Sequence, residues 1–260
     1  MREQDVQVET GKVHLRIQEG AGTPVVFLHG LGASGHDFRD AFGAPELGGR
    51  PLVALDLPGY GKSGRPQGFS YDLKDQAEIL DQVLGALDMD QVDLVAHSMG
   101  GMAAIWFARL HPEKVRRLVL AEPNLDLANA QISARIRGYG SERAFAEGYR
   151  EFLDRFDKPE KPSAYGFYRT LLETEPHVLF RSAQSIKTHS TEAFYREFLE
   201  LPMPVAFLQG EKSWHRLEEG MRREMEEKGV RFATVPYAGH GMMGDNPREF
   251  YRVVGMLLEP

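Results

Sequence analysis

The chain of 260 residues contains no cysteine. That excludes disulfide staples, thiolate nucleophiles and cysteine-ligated zinc or iron–sulfur centres, and it fits a reducing compartment. No stretch approaches the roughly 20 consecutive apolar residues of a membrane-spanning helix. The opening MREQDVQVET carries no apolar core of the kind that marks a secretory signal. A soluble, cytoplasmic protein with no membrane span is therefore expected. Positive charge is not in excess: 31 Lys and Arg stand against 38 Asp and Glu, a dispersed net charge of −7, which leaves no basic stripe for nucleic acid or anionic lipid. Internal repeats and low-complexity tracts are missing, and no His/Asp/Glu grouping has metal-ligand spacing. Neither a metal nor a cofactor is expected.

What is present is an alternation of buried strands and helices, on a length that suits one α/β domain with room for an insertion. Residues 6–10 and 12–18 alternate in polarity around Gly11 and predict an antiparallel hairpin. Residues 24–29 and 51–56 are solid apolar runs, as expected of strands covered on both faces; 92–97 and 115–121 read as two more buried strands, and 204–209 and 231–236 as late strands. Between them fall an amphipathic helix at 71–87, a helix after Ser98, a charged helix near 214–228 and a last helix at about 247–258. The fold class is α/β, with a mostly parallel sheet covered on both sides.

Residues 125–201 break the alternation and contain no clear strand. Phe145, Tyr149, Phe152 and Phe156 recur at i, i+4, i+7 and i+11, one helical face, and Tyr165, Phe167, Tyr168, Phe180, Phe194, Tyr195 and Phe198 add aromatics. This predicts a helical cap at 125–201 between core segments 1–124 and 202–260. Most of these rings are expected to pack cap on core, with a minority facing a substrate cavity.

The stretch Val95-Ala96-His97-Ser98-Met99-Gly100-Gly101 carries the chemistry. An apolar run enters Ser98 and a helix-forming run leaves it, the strand–serine–helix layout of a nucleophile elbow. Small residues two before and two after the serine let strand and helix pass closely, and Ala96 replaces the first glycine of G-x-S-x-G at the cost of one methyl group. With Leu28-His29-Gly30-Leu31-Gly32, Asp56-Leu57-Pro58-Gly59-Tyr60-Gly61-Lys62-Ser63 and Ala238-Gly239-His240-Gly241 in this order, the chain resembles the α/β-hydrolase superfamily, in the serine esterase and lipase-like branch with a helical cap.

The resemblance implies that Ser98 is the nucleophile, His240 the base, and the backbone N–H groups of Leu31 and Met99 the oxyanion hole. His29 and His97 are expected to make local loop hydrogen bonds. His36, His111, His177, His189 and His215 read as loop or surface residues. Many relatives carry the triad acid about three residues past the glycine that here is Gly210, where this chain has Ser213, and a serine cannot supply the charge that stabilises an imidazolium. Another branch carries the acid one strand earlier, at the place of Glu122. A carboxylate at the end of a buried strand needs a partner, and the order Ser98, Glu122, His240 is the expected one. Glu122 is therefore the acid favoured here. Glu211, Asp126 or a missing acid are the alternatives, and a simple capping role for Glu122 is the plainer reading.

Two decoys are set aside. Gly30-Leu31-Gly32-Ala33-Ser34-Gly35 matches a dinucleotide-binding G-x-G-x-x-G with Asp56 as the ribose acid, but Gly43, Pro45, Gly48 and Gly49 follow too soon for a good helix. Gly59-Tyr60-Gly61-Lys62-Ser63 resembles the end of a P-loop, yet position 56 is Asp where the pattern needs glycine. The expectation is a serine hydrolase acting on a small-molecule ester of a small or medium apolar acid. The resemblance leaves open carbon–carbon bond hydrolysis, perhydrolysis or acyl transfer by the same triad, or a ligand-binding signalling protein with vestigial turnover. The serine at 98 argues against the dehalogenase and epoxide-hydrolase branches, whose nucleophile is aspartate. If His240 is the base, activity is expected to rise with an apparent pKa of roughly 6 to 7.

Overall fold

The computed structural model describes residues 1–126, 128–159 and 162–259, with the side chains of all of these but 162–165. Eight strands form one sheet: β1 (Arg2–Val8), β2 (Gly11–Gln18), β3 (Val25–Leu28), β4 (Leu52–Leu55), β5 (Val92–His97), β6 (Val115–Ala121), β7 (Val205–Gly210) and β8 (Arg231–Val235). Their order is β1-β2-β4-β3-β5-β6-β7-β8. The predicted hairpin pairs β1 with β2, and β2 runs antiparallel to β4. From β4 to β8 every pairing is parallel.

Alternation along each strand explains why the runs are mostly apolar. Val26, Leu28, Val53, Leu55, Leu94, Ala96, Leu118 and Leu120 point to one face and join the core formed with α1 (Leu73–Ala86) and α2 (Met99–Leu110). Their neighbours Val25, Phe27, Leu52, Ala54, Val95, Val119 and Ala121 point to the other, under α11 (Pro247–Leu258) and the 3-10 segment Gly35–Gly43. Period-two side chains with both faces covered leave little place for a polar residue, and the buried Asp93 of β5 is accommodated by pairing with Arg50 and Arg116.

Between β6 and β7 lie α3 (Gln131–Arg137), α4 (Glu142–Glu147), α5 (Tyr149–Asp154), α6 (Pro162–Leu172), α7 (Pro176–His189) and α8 (Glu192–Leu199), with no strand among the described residues of this stretch. Then come α9 (Glu219–Glu227) and the short α10 (Met242–Asp245). α7 is pinned to the core by hydrogen bonds. Tyr60 OH donates to Ser182 Oγ at 2.8 Å, and Asp72, the N-cap of α1, accepts from Ser185 Oγ at 2.8 Å and meets His189 Nε2 at 3.0 Å. Among the described residues no helix is long and apolar enough to cross a membrane.

Three expectations are corrected. Phe145, Tyr149, Phe152 and Phe156 do not share one helix. The chain leaves helical geometry at Gly148 (φ −92°, ψ 6°), and three of the rings instead form an edge-on chain, Phe145–Phe152 and Phe152–Phe156 each with centroids 5.3 Å apart. A β-carbon at 148 would lie 2.3 Å from the Tyr139 ring, so the break leaves room for that ring. The charged helix starts at Glu219 rather than 214, because residues 213–216 are bonded into the sheet's carboxyl edge. Tyr71 precedes α1 with φ 58° rather than opening it. Tyr165 has its side chain outside the described residues.

Candidate active site

The site assembles at the carboxyl ends of β3, β5, β6, β7 and β8, the edge where parallel α/β sheets present their loops. At the end of β5, Ser98 sits at φ 52°, ψ −118°. This left-handed conformation is sparsely populated for a residue with a β-carbon, and it persists only where neighbours over-determine it. Here they do. Ser98 N–H donates to Ala121 C=O of β6 at 2.9 Å. The start of α2 passes so close to β3 that a β-carbon on Gly100 would stand 2.4 Å from the His29 carbonyl oxygen. Gly30 is confined too, though less tightly: a β-carbon there would come within 2.9 Å of His97 Nδ1 and 3.3 Å of Ser98 Cβ. Ala96, by contrast, lies in the ladder between Leu28 and Leu120, where its methyl is part of the core.

The loop after β3 is oriented by His29. Leu57 N–H donates to His29 Nε2 at 3.0 Å, which makes Nε2 the bare nitrogen, so Nδ1 carries the proton and donates it to Gly30 C=O at 2.8 Å. Ala33 N–H takes the same carbonyl at 3.2 Å. In a trans peptide the C=O and the following N–H point oppositely. The clamp on Gly30 C=O therefore turns the Leu31 N–H away from the loop, and Gly30 and Leu31 line the cavity at Ser98. The Met99 N–H is the first amide of α2 and has no acceptor inside the helix.

β6 ends at Glu122, also at positive φ (49°) and without solvent exposure. Its Oε1 accepts from Gly210 N–H at 2.8 Å, and its Oε2 from Ser213 Oγ at 2.7 Å. The same Oε2 meets His240 Nδ1 at 2.6 Å. Burial penalises both charged forms, raising the Glu122 carboxyl and pushing the His240 imidazole down to about 4. The neutral imidazole that burial favours carries its proton on Nδ1 and donates it to Glu122 Oε2. Glu211 and Asp126 are engaged elsewhere, Glu211 with Tyr237 N–H at 2.7 Å and Asp126 with Asn129 N–H at 2.9 Å. Ser98 and His240 line one cavity of about 390 Å³. Ser98 Oγ donates to Asn124 Oδ1 at 3.2 Å, and the described residues show no hydrogen bond between it and His240.

A sequence model of the alpha/beta hydrolase fold matches residues 23–141, the segment from β3 to the end of α3 that holds Ser98 and Glu122. Together with the eight-stranded sheet, this match supports the α/β-hydrolase superfamily for the chain. The chain is 32% identical over 174 residues to a haloalkane dehalogenase from Agrobacterium fabrum, an alignment covering 62% of this chain and 56% of the relative. It is 41% identical over 105 residues to a 2-hydroxy-6-oxo-2,4-heptadienoate hydrolase from Pseudomonas putida, covering 39% and 37%. The chain thus spans about half, or less, of the length of these curated relatives. Among solved structures, an esterase from Exiguobacterium antarcticum superposes with a TM-score of 0.78 at 24% identity, covering 99% of this chain and 100% of the other, a likeness of fold.

Position 213 takes a supporting part in the site. Ser213 stands where the acid was expected, and its hydroxyl supports the acid candidate on the neighbouring strand. His215, read from sequence as a loop or surface residue, is fully buried. Its Nε2–H donates to Pro123 C=O at 3.1 Å, and its ring lies parallel to His240, 9° between planes and 5.9 Å between centroids. Trp214 covers another side of His240 at 5.0 Å. His97 donates Nε2–H to the His240 C=O at 2.9 Å and stays neutral, pushed down to about 3 by burial and then by the facing His240. Asn124, Trp214 and His215 escaped sequence reading because their meeting depends on how two loops fold. The one available signal was that Ser213-Trp214-His215 follows the strand that usually delivers the acid.

The remaining calls have plain outcomes. Asp56 is fully buried, accepting from Gly35 N–H and Lys62 N–H at 2.8 Å each and from Arg16 at 3.1 Å, so the loop after β4 uses it structurally and no ribose could reach it. Of the described insertion aromatics, Phe156 and Phe167 line the cavity. Met102, Met242 and Met243 are buried in the two cores.

Proposed function

We propose that this chain is a serine hydrolase that cleaves carboxylic esters of small or medium apolar acids through an acyl-enzyme on Ser98. The observation that carries this reading is the 2.6 Å contact between the buried Glu122 carboxylate and His240 Nδ1, beside a serine on a strained elbow in the same cavity. In this reading Ser98 Oγ bonds to the ester carbon and its proton passes to His240. The carbonyl electron pair moves onto oxygen, where the Leu31 and Met99 amides hold it. The intermediate then expels the alkoxide, which takes the proton from His240. Water repeats the cycle on the acyl-enzyme and restores Ser98. Glu122 fixes the imidazole with Nδ1 toward the carboxylate and stabilises the imidazolium formed at each transfer.

Residues 125–201 act in this reading as a cap between core segments 1–124 and 202–260. Ile132, Phe156, Phe167 and Ile186 from the cap, with Trp214, give the cavity an apolar wall suited to an apolar acyl group. The haloalkane dehalogenase relative does not extend to the mechanism, since the nucleophile position holds serine. The 41% local identity to a 2-hydroxy-6-oxo-2,4-heptadienoate hydrolase supports a second reading, carbon–carbon bond hydrolysis by the same residues. Turnover of a p-nitrophenyl ester series by wild type and Ser98→Ala tests the first: activity that falls about 10³-fold or more in the variant supports it, and equal rates would falsify it. Product analysis on a 1,5-diketone-type substrate distinguishes the second.

A further inference from the structure

The serine at the elbow gives its proton to an amide, and that amide is held too rigidly to be incidental. Asn124 is nearly fully buried, as is Ser98. Its Nδ2 donates to Asn129 C=O at 3.1 Å. A carbonyl can only accept, so this bond fixes which way the amide faces and leaves Oδ1 aimed at Ser98 Oγ, 3.2 Å away. The supports are themselves tied. Asn124 C=O accepts from Ser190 Oγ at 2.9 Å, at the end of α7. Asn129 donates twice to the Asp126 carboxylate and exchanges hydrogen bonds with the Arg216 backbone, all between 2.8 and 2.9 Å.

The Ser98 hydroxyl is the donor to this acceptor in the resting site. Once the proton leaves toward His240, and as long as an acyl group sits on Oγ, Asn124 Oδ1 has lost that donor. Its rigid mounting prevents it from turning to another. A buried acceptor left unpaired is costly, and a ligand that supplies the missing donor avoids that cost. The geometry places Oδ1 one hydrogen-bond length from the oxygen that becomes the ester oxygen, so the groups within its reach are those on the carbon next to the scissile carbonyl.

We propose that Asn124 is a specificity residue that selects esters bearing a hydroxyl or N–H donor on the carbon next to the scissile carbonyl. The proposal rests on the serine-hydrolase reading and narrows its substrate class: an apolar acyl chain, under the cap, with one donor at its carbonyl end.

The test compares p-nitrophenyl 2-hydroxybutanoate with p-nitrophenyl 2-methylbutanoate, a matched pair in which methyl replaces hydroxyl, with kcat/KM for each divided by its hydroxide-catalysed rate constant. Wild type is expected to favour the hydroxy ester by roughly 5- to 150-fold. In Asn124→Leu, similar in size but without an acceptor, the preference is expected to fall to near one. A wild-type ratio of one overturns the proposal without recourse to any variant, as does a ratio that survives in Asn124→Leu. If the leucine variant fails to fold by circular dichroism, Asn124→Ala takes its place. A fluorophosphonate probe run alongside separates the two levels of inference. Labelling that Ser98→Ala abolishes, with a ratio of one, removes only the role of Asn124. No labelling of wild type removes the nucleophile and this proposal together.

Discussion

Ser213 Oγ lies 2.7 Å from Glu122 Oε2, the oxygen that also meets His240. One carboxylate oxygen thus serves both the imidazole and the residue at the position where the acid was expected. Glu122→Gln is expected to lower kcat by about 10⁴-fold, the loss typical when a triad acid can no longer hold the imidazole tautomer. Ser213→Ala removes one donor and is expected to cost about 10-fold. Ser213→Asp alone places a second carboxylate against Glu122 and is expected to lower activity, because two like charges cannot both ionise there. In Glu122→Gln/Ser213→Asp the new carboxylate is expected to regain part of the activity lost in Glu122→Gln. Steady-state kcat for the four variants checks the set, and a double variant no better than Glu122→Gln counts against position 213 as an acid site.

Burial of His240 moves the pH dependence away from the sequence-based expectation of roughly 6 to 7. The base works in its neutral form. A pKa pushed down to about 4 keeps it neutral to lower pH, so the acid limb of kcat/KM is expected below 6.5, with rates flat from about pH 7 to 8. A limb centred at or above 6.5 would show that the Glu122 charge outweighs desolvation at this imidazole.

Gly100 has no room for a methyl group, since a β-carbon would stand 2.4 Å and 2.7 Å from the backbone oxygens of His29 and Leu28. Gly100→Ala is expected to push α2 off β3, lowering the melting temperature by several degrees and kcat/KM by about 10²-fold through displaced elbow geometry. Ala96→Gly, inside the β5 ladder, is expected to cost only about 1 kcal/mol of stability. Thermal melts and kinetics on both variants check the contrast.

Asp72 ties the insertion to the core. Burial would raise its carboxyl, but hydrogen bonds from His189, the Lys74 amide and Ser185 outweigh it and hold the pKa down to about 2. Its folded value lies below the unfolded one near 3.9. The stabilisation is therefore fully present above that value and is lost as pH falls through about 2. Asp72→Ala is expected to lose about 1 to 2 kcal/mol in urea unfolding at pH 7, for the helix cap alone. The difference from wild type is expected to shrink at acid pH.

The legible parts of this molecule are those in which every position of a run says the same thing. Residues 94–96 and 118–121 are apolar at each step because each faces a covered side of the sheet, so strand ends, and with them Ser98 and Glu122, fall at readable places. Gly100 was readable as a close approach for the same reason. The aromatic stripe through Phe145 and Phe156 kept helical spacing across a break at Gly148, which periodicity alone does not reveal. Ser213 read as the lack of an acid, although in space it is a donor to one. Asn124 and His215 acquire their surroundings only when the loops after β6 and β7 meet, through pairings of residues some 90 positions apart.

His97 and His240 are 143 positions apart, and the side chain of the first holds the main chain of the second. Ser98 follows His97 directly, and β6 and β7 separate β5 from β8 in the sheet. The hydrogen bond spans that gap as a crossbar. Flexing of the sheet that would draw serine and imidazole apart has to stretch or break this hydrogen bond. Register between them is kept by a histidine that takes no proton itself, and replacing it with a side chain unable to donate would loosen the spacing of two residues it leaves chemically intact.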